Sequence, residues 1–129
     1  MVKGIEKILQ KAKNDNDILA LIVFGSHARK EEKPSSDVDI CVVLQPKKFS
    51  NLSMTNKRLE YLSLVPNEYD IQVFQQLPTF IRTRILKEGK ILLNKDYDTM
   101  FKIALDTIKE FELFKKHYNY CIKSVAYAR

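Results

Sequence analysis

The strongest constraint on this fold is a run of seven apolar residues, Ile18 to Phe24 (ILALIVF), which stops at Gly25-Ser26. The run has the length of a strand and no polar alternation, so both of its faces need burial. Such a strand belongs in the middle of a sheet, with helices on either side. The rest of the chain supplies that cover. Residues 2 to 13 set Ile5, Ile8 and Leu9 on one helical face opposite lysines, and the stretch 14–17 (NDND) breaks the helix. Residues 30–36 are polar and contain Pro34, which predicts a loop, and 37–44 (DVDICVVL) predicts a second strand closed by Gln45-Pro46. Residues 50–64 read as a helix with Leu52, Leu59 and Leu62 among its apolar positions, ended at Pro66-Asn67. The alternating stretch 69–74 (YDIQVF) predicts a third strand. Residues 78–87 read as a helix with Pro78 at its start and Gly89 just past its end, and 91–93 as a short fourth strand.

From Asp96 to about Ala128 there is neither Gly nor Pro. Phe101, Ala104, Ile108, Phe111, Phe114, Tyr118, Ile122 and Val125 follow one another at steps of three or four, which predicts one long helix with an apolar stripe. The expected fold class is therefore α/β (α+β): a small mixed sheet of three to four strands covered by helices. A chain of 129 residues holds one domain. We divide it into a core, 1–95, and a C-terminal helix, 96–129, that packs, dimerises or docks a partner.

Composition narrows the function classes. With 45% hydrophobic and 29% charged residues the chain can bury a core. No run approaches the roughly 20 apolar residues of a membrane span, and the first residues lack the apolar stretch of a secretory signal, so a cytoplasmic location is expected. A formal net charge of +6 favours phosphate-bearing partners, although lysine-rich solvated faces give the same balance. Cys41 and Cys121 are read as buried thiols, not as a disulfide scaffold or a zinc site.

The chemistry concentrates between Phe24 and Ile40, FGSHARKEEKPSSDVDI. Gly25-Ser26 ends a buried strand and opens a short helix. The free N–H groups of a helix start suit a phosphate, glycine lets it come close, and serine can cap the helix or bond a phosphate oxygen. Asp37 and Asp39 lie two apart at the start of a strand, so alternation puts both carboxylates on one face. Such a pair is either solvated or bridged by a hard cation such as Mg²⁺. Asp70 enters an apolar strand, where an acid is costly unless paired or metal-bound. If its strand lies beside that of Asp37 and Asp39, three carboxylates meet next to a phosphate turn, the layout of two-metal nucleotidyl transfer.

At these residues the chain resembles the DNA polymerase beta-like nucleotidyltransferases, and among them the minimal nucleotidyltransferases. The family pattern of Gly-Ser, ten residues and Asp-x-Asp is met by Gly25-Ser26 and Asp37-Val38-Asp39 without a gap. The fuller form is matched by Gly25-Ser26-His27-Ala28-Arg29 and Ser36-Asp37-Val38-Asp39-Ile40, with Lys30 where the family often has glycine. Asp70 matches the third acid by position. The resemblance spans about residues 5 to 95. It implies the nucleotidyltransferase fold, a two-metal Mg²⁺ site on Asp37, Asp39 and Asp70, ATP as donor, and triphosphate binding by Gly25 and Ser26. It leaves Arg29 either to contact phosphate or to brace its loop.

The chain is too short for the acceptor-binding domain of larger relatives, so the acceptor must come from elsewhere. Minimal nucleotidyltransferases often pair with a helical HEPN toxin, and some transfer AMP to a tyrosine of it. The resemblance therefore implies AMP transfer from ATP to a hydroxyl of a HEPN-like partner. The partners expected are a nucleoside triphosphate and that protein or a second copy of this chain, with neither membrane nor nucleic acid. Two readings compete: a non-catalytic antitoxin module that occludes its partner, and a small-molecule nucleotidyltransferase with an acceptor pocket between subunits. His27 occupies the variable position of the motif. His117 is read as lying on the long helix without a Cys or carboxylate at ligand spacing, and Lys47-Lys48 and Arg82 with Arg84 as basic pairs that are either solvated or attract a nucleotide.

Overall fold

A computed structural model describes residues 5–25 and 38–127. Four strands form one sheet in the order β3-β2-β1-β4. They are β1 (Ile18–Phe24), β2 (Val38–Leu44), β3 (Tyr69–Val73) and β4 (Lys90–Asn94). The apolar run Ile18–Phe24 is central, paired antiparallel with both β2 and β4. Six of its seven residues are buried, as a run without alternation demands. β2 and β3 run parallel, and their crossover is helix α2 (Asn51–Leu62).

Strand alternation sorts the core into two layers. Ile40, Val42, Leu44, Ile71 and Val73 point to one face, which α1 (Ile5–Asn14) and α2 cover through Ile5, Ile8, Ala12 and Tyr61. Cys41, Val43, Leu19 and Ile22 point to the other, covered by α3 (Thr79–Glu88) through Ile85 and by α4 (Tyr97–Tyr127) through Met100. Phe74, at the head of a 3₁₀ turn (Phe74–Gln76) that follows β3, joins this second layer.

Two expectations need correction. In α2 two of the three leucines, Leu52 and Leu59, do not help to seat the helix, whereas Leu62 packs against the core. Leu52 is 71% and Leu59 51% exposed, while Tyr61 is fully buried. Tyr61 succeeds because its hydroxyl donates to Asp15 Oδ2 at 3.0 Å, so the ring can be buried with its polar end satisfied. Cys121 is exposed rather than buried, one helical turn from His117, with 3.7 Å between Sγ and Nε2. Cys41 is buried as expected, and desolvation pushes its thiol far above the usual range, which leaves it inert.

Asp15 anchors a polar cluster at the end of the sheet where β1 starts and β2 finishes. Its Oδ2 also accepts from Lys57 Nζ at 3.0 Å, its Oδ1 accepts from the Asp17 N–H at 3.0 Å, and its backbone carbonyl accepts from Lys95 Nζ at 2.7 Å. Lys57 reaches Asp17 Oδ2 at 3.2 Å as well. Burial pushes the Asp15 carboxyl upward, but the bonds from Asp17, Lys57 and Tyr61 outweigh it and hold the group below its ordinary value. Gly89 ends α3 with its N–H donating to Ile85 O at 2.8 Å. It has no left-handed conformation; a Cβ there would lie 2.5 Å from Ile22 Cγ2 and 2.6 Å from Ile85 O. Glycine at this position is a matter of close packing.

The long helix is present, 31 residues and roughly 46 Å at 1.5 Å per residue. The line it packs inward is Met100, Ile103 and Thr107, beside the expected stripe and not along it. Phe101, Ile108, Phe114, Tyr118, Ile122 and Val125 are each between 45% and 69% exposed.

Candidate active site

The site lies on the α3 side of the sheet, where β1 ends and β2 and β3 begin. Phe24 is the antiparallel partner of Asp39, and Asp39 is the parallel partner of Asp70. Both acids alternate with core residues of the opposite layer, Ile40 for one and Tyr69 and Ile71 for the other. Two carboxylates on neighbouring strands therefore share one face at one register level. Both are partly buried.

Gly25 closes the arrangement. It adopts φ +81°, a left-handed conformation open to glycine. A Cβ at this position would stand 2.5 Å from Asp39 Oδ2 and 3.4 Å from its Cγ. The missing side chain is what lets the Asp39 carboxylate lie against the turn. Ser26, His27, Arg29 and Asp37 fall outside the described residues. The structure thus brings together Gly25, Asp39 and Asp70 of the six residues expected to bind or react.

Asp70 is held from two directions. Gln72 Nε2 donates to its Oδ2 at 2.9 Å. Arg58 Nη2 reaches its Oδ1 at 3.4 Å, while Arg58 Nε donates to Ile71 O at 2.6 Å. Neither residue was singled out in the sequence. Gln72 carried a signal, since it lies two along from Asp70 in a strand and must share its face. Arg58 carried none, because α2 packs against the other face.

On the α3 side of Gly25 a cavity of about 150 Å³ opens, lined among the described residues by Phe24, Gly25, Ile81, Arg84, Ile85 and Glu88. Arg84 Nε is 3.2 Å from Glu88 Oε2, one turn along the helix. The other member of that basic pair, Arg82, is committed elsewhere. Its Nε donates to Leu77 O at 2.9 Å and its Nη2 meets Glu110 Oε2 at 3.1 Å, tying α3 to α4.

The donor set, carboxylate oxygens beside a side-chain-free turn, suits a hard divalent cation together with a phosphate chain. The described residues alone contain no group of three or more potential ligands. Asp37, two residues before Asp39, would be the third acid of the set.

Residues 6–98 match the family described as "Polymerase beta, Nucleotidyltransferase". The chain belongs to this family. Two curated relatives from Methanocaldococcus jannaschii, each named as a "Putative protein adenylyltransferase", share 31% identity over 81 residues and 33% over 67. The first match covers 63% of this chain and 60% of the relative, and the second 52% and 71%. The chain also has the fold of several solved structures. One, described as a toxin–antitoxin with AMP-PNP, superposes with a TM-score of 0.72 at 18% identity over 96% of this chain and 98% of that one. A second, described as the MntA–HepT toxin–antitoxin, gives 0.63 at 20% identity over 94% and 92%. A putative nucleotidyltransferase from Sulfolobus solfataricus gives 0.54 at 19% identity over 74% and 81%. The fold class and the family resemblance read from the sequence are borne out. No helix among the described residues is long and apolar enough to cross a membrane.

Proposed function

We propose that this nucleotidyltransferase transfers AMP from ATP to a hydroxyl of a helical partner protein of the HEPN type. The observation that carries the reading is the in-register pairing of Asp39 with Asp70 over a left-handed Gly25. Asp37, Asp39 and Asp70 would hold Mg²⁺, which when bound would neutralise the triphosphate and the departing pyrophosphate. The chain's own residues do the rest. Gly25 keeps side chains away from the phosphates, and Ser26 caps the turn or donates to a phosphate oxygen. Arg29 braces this loop or meets phosphate. Asp70 accepts the proton of the acceptor hydroxyl as its oxygen bonds to the α-phosphorus and the bond to the β-phosphate oxygen breaks. The exposed apolar stripe of α4 supports a partner, since exposed apolar patches of that extent mark interaction sites. The names of the relatives and of the complexes above support the same chemistry.

A module that neutralises its partner by occlusion alone would use the same stripe, but it has no need of paired carboxylates at a phosphate turn. A small-molecule acceptor is the remaining reading. The deciding experiment incubates the protein with labelled ATP, Mg²⁺ and host lysate beside the Asp37→Ala, Asp39→Ala double variant. The expected result is label on one protein band with the intact site only. Saturable Mg²⁺-dependent ATP binding without protein labelling would point to a small-molecule acceptor. Absence of both binding and transfer would leave the occluding module.

A further inference from the structure

We propose that Arg58 is a positioning residue for Asp70, setting the direction in which that carboxylate presents its lone pairs to the cation. The inference rests on the nucleotidyltransferase reading above. α2 lies against the layer of Tyr61 and Ile71, and Asp70 points to the opposite face. Arg58 can reach it because β3 is the edge of the sheet, so the long side chain passes round the outside. The short 2.6 Å bond from Nε to Ile71 O fixes the guanidinium plane. That plane then meets Asp70 Oδ1 at 3.4 Å, and Gln72 closes on Oδ2 at 2.9 Å. Among the described residues each carboxylate oxygen has one partner, which leaves a lone pair for a ligand.

The pair is a poor stabilising device. Its side chains are 32% and 39% exposed, and at 3.4 Å an ion pair of this kind contributes little. What it does supply is direction. A carboxylate at the start of an edge strand has free rotation about its terminal bond unless both oxygens are held, and groups that hold a ligand in this way typically govern metal affinity or rate by ~10–100-fold.

Charge and orientation predict opposite results, which makes the inference testable. Arg58 is a cation beside the cation site, so Arg58→Met should tighten metal binding if charge alone mattered. If Arg58 orients Asp70, the same change should weaken it. Arg58→Lys keeps the charge and loses the fork, so it should weaken binding too. The measurement is free Mn²⁺ by electron paramagnetic resonance, titrated into the full chain with a non-hydrolysable ATP analogue. Thermal melts run alongside, with the transfer rate to the labelled band at graded ATP. The expected result is a loss of roughly 10-fold or more in Mn²⁺ affinity for both variants. The transfer rate at saturating ATP falls in step, and the melting temperature of Arg58→Lys stays near that of the parent. Unchanged or tighter Mn²⁺ binding in either variant would overturn the inference while leaving the enzyme reading intact. A parent protein that neither binds Mn²⁺ nor transfers label would overturn both.

Discussion

At Gly25 one residue serves two demands, a backbone demand and a spatial one, and a substitution separates them. Gly25→Ala places a Cβ in a left-handed conformation, at a cost of about 1–2 kcal/mol for an L-residue. It also drives that Cβ onto Asp39 Oδ2, which must move aside. We expect a modest fall in melting temperature and a much larger fall in AMP transfer, on the order of 100-fold, because a displacement near 1 Å at a reacting centre costs about that much. A variant that transfers label at a rate explained by its folded fraction alone would show that the Asp39–Gly25 contact is only structural. Asp15 makes the contrasting case at the opposite end of β1. With its folded pKa depressed, its contribution to stability is present above the unfolded value of 3.8 and disappears as pH falls through the folded value. Asp15→Asn should therefore cost about 1–3 kcal/mol at neutral pH, by removing the charge that strengthens the bonds from Lys57 and Tyr61, while Lys57 keeps its contact with Asp17. The gap between parent and variant should close as pH drops below about 4, read by urea melts at stepped pH.

Among the elements, legibility from sequence followed burial. The central strand could be read because burial on both faces leaves no polar residue to confuse the pattern, β2 because its apolar run is closed by Gln45-Pro46, and β3 because it alternates. Asp39 and Asp70 could be read as facing groups once β2 and β3 were neighbours, but the neighbouring itself is a tertiary fact. α2 misled, since Leu52 and Leu59 look like its core face while Tyr61 is the residue buried. No local pattern says that a tyrosine will find an aspartate 46 positions away. Arg58 was invisible for a related reason: its role depends on β3 being an edge. For α4 the period was legible, and the line that packs inward lies beside the expected stripe. Its expected stripe faces solvent beyond the α3 contact, with Phe111, Phe114 and Tyr118 stacked along it at centroid separations of 6.4 and 6.1 Å. Replacing Phe114 and Tyr118 by serine should leave the melting temperature within about 2 °C of the parent, as expected for residues about half exposed. The same double change should abolish co-purification with the acceptor protein; retained association would place the docking surface elsewhere.

Across the whole molecule, the candidate site and the Asp15 anchor occupy opposite ends of one sheet, and α2 touches both. Lys57 holds the Asp15 cluster while its neighbour Arg58 turns to Asp70. The strand order adds a consequence in time. β1 acquires β2 from nearby in the chain, but its other neighbour, β4, pairs Lys90 with Val23 only after the crossover helix, β3 and α3 have all been threaded. The longer the loop to be closed, the later such a pairing is rewarded. β4 is also the less buried flank, and α4 follows it directly. This makes β4 with the first turns of α4 the last unit to dock and the first to open. Native-state hydrogen exchange should find the amides of β4 opening at markedly lower free energy than those shared by β1 and β2. Uniform protection across all four strands would mean that the sheet opens as a single cooperative unit. With staged opening, the scaffold of Asp39 and Asp70 outlives the detachment of the long helix, so the chain can release α4 and still keep its two acids in register.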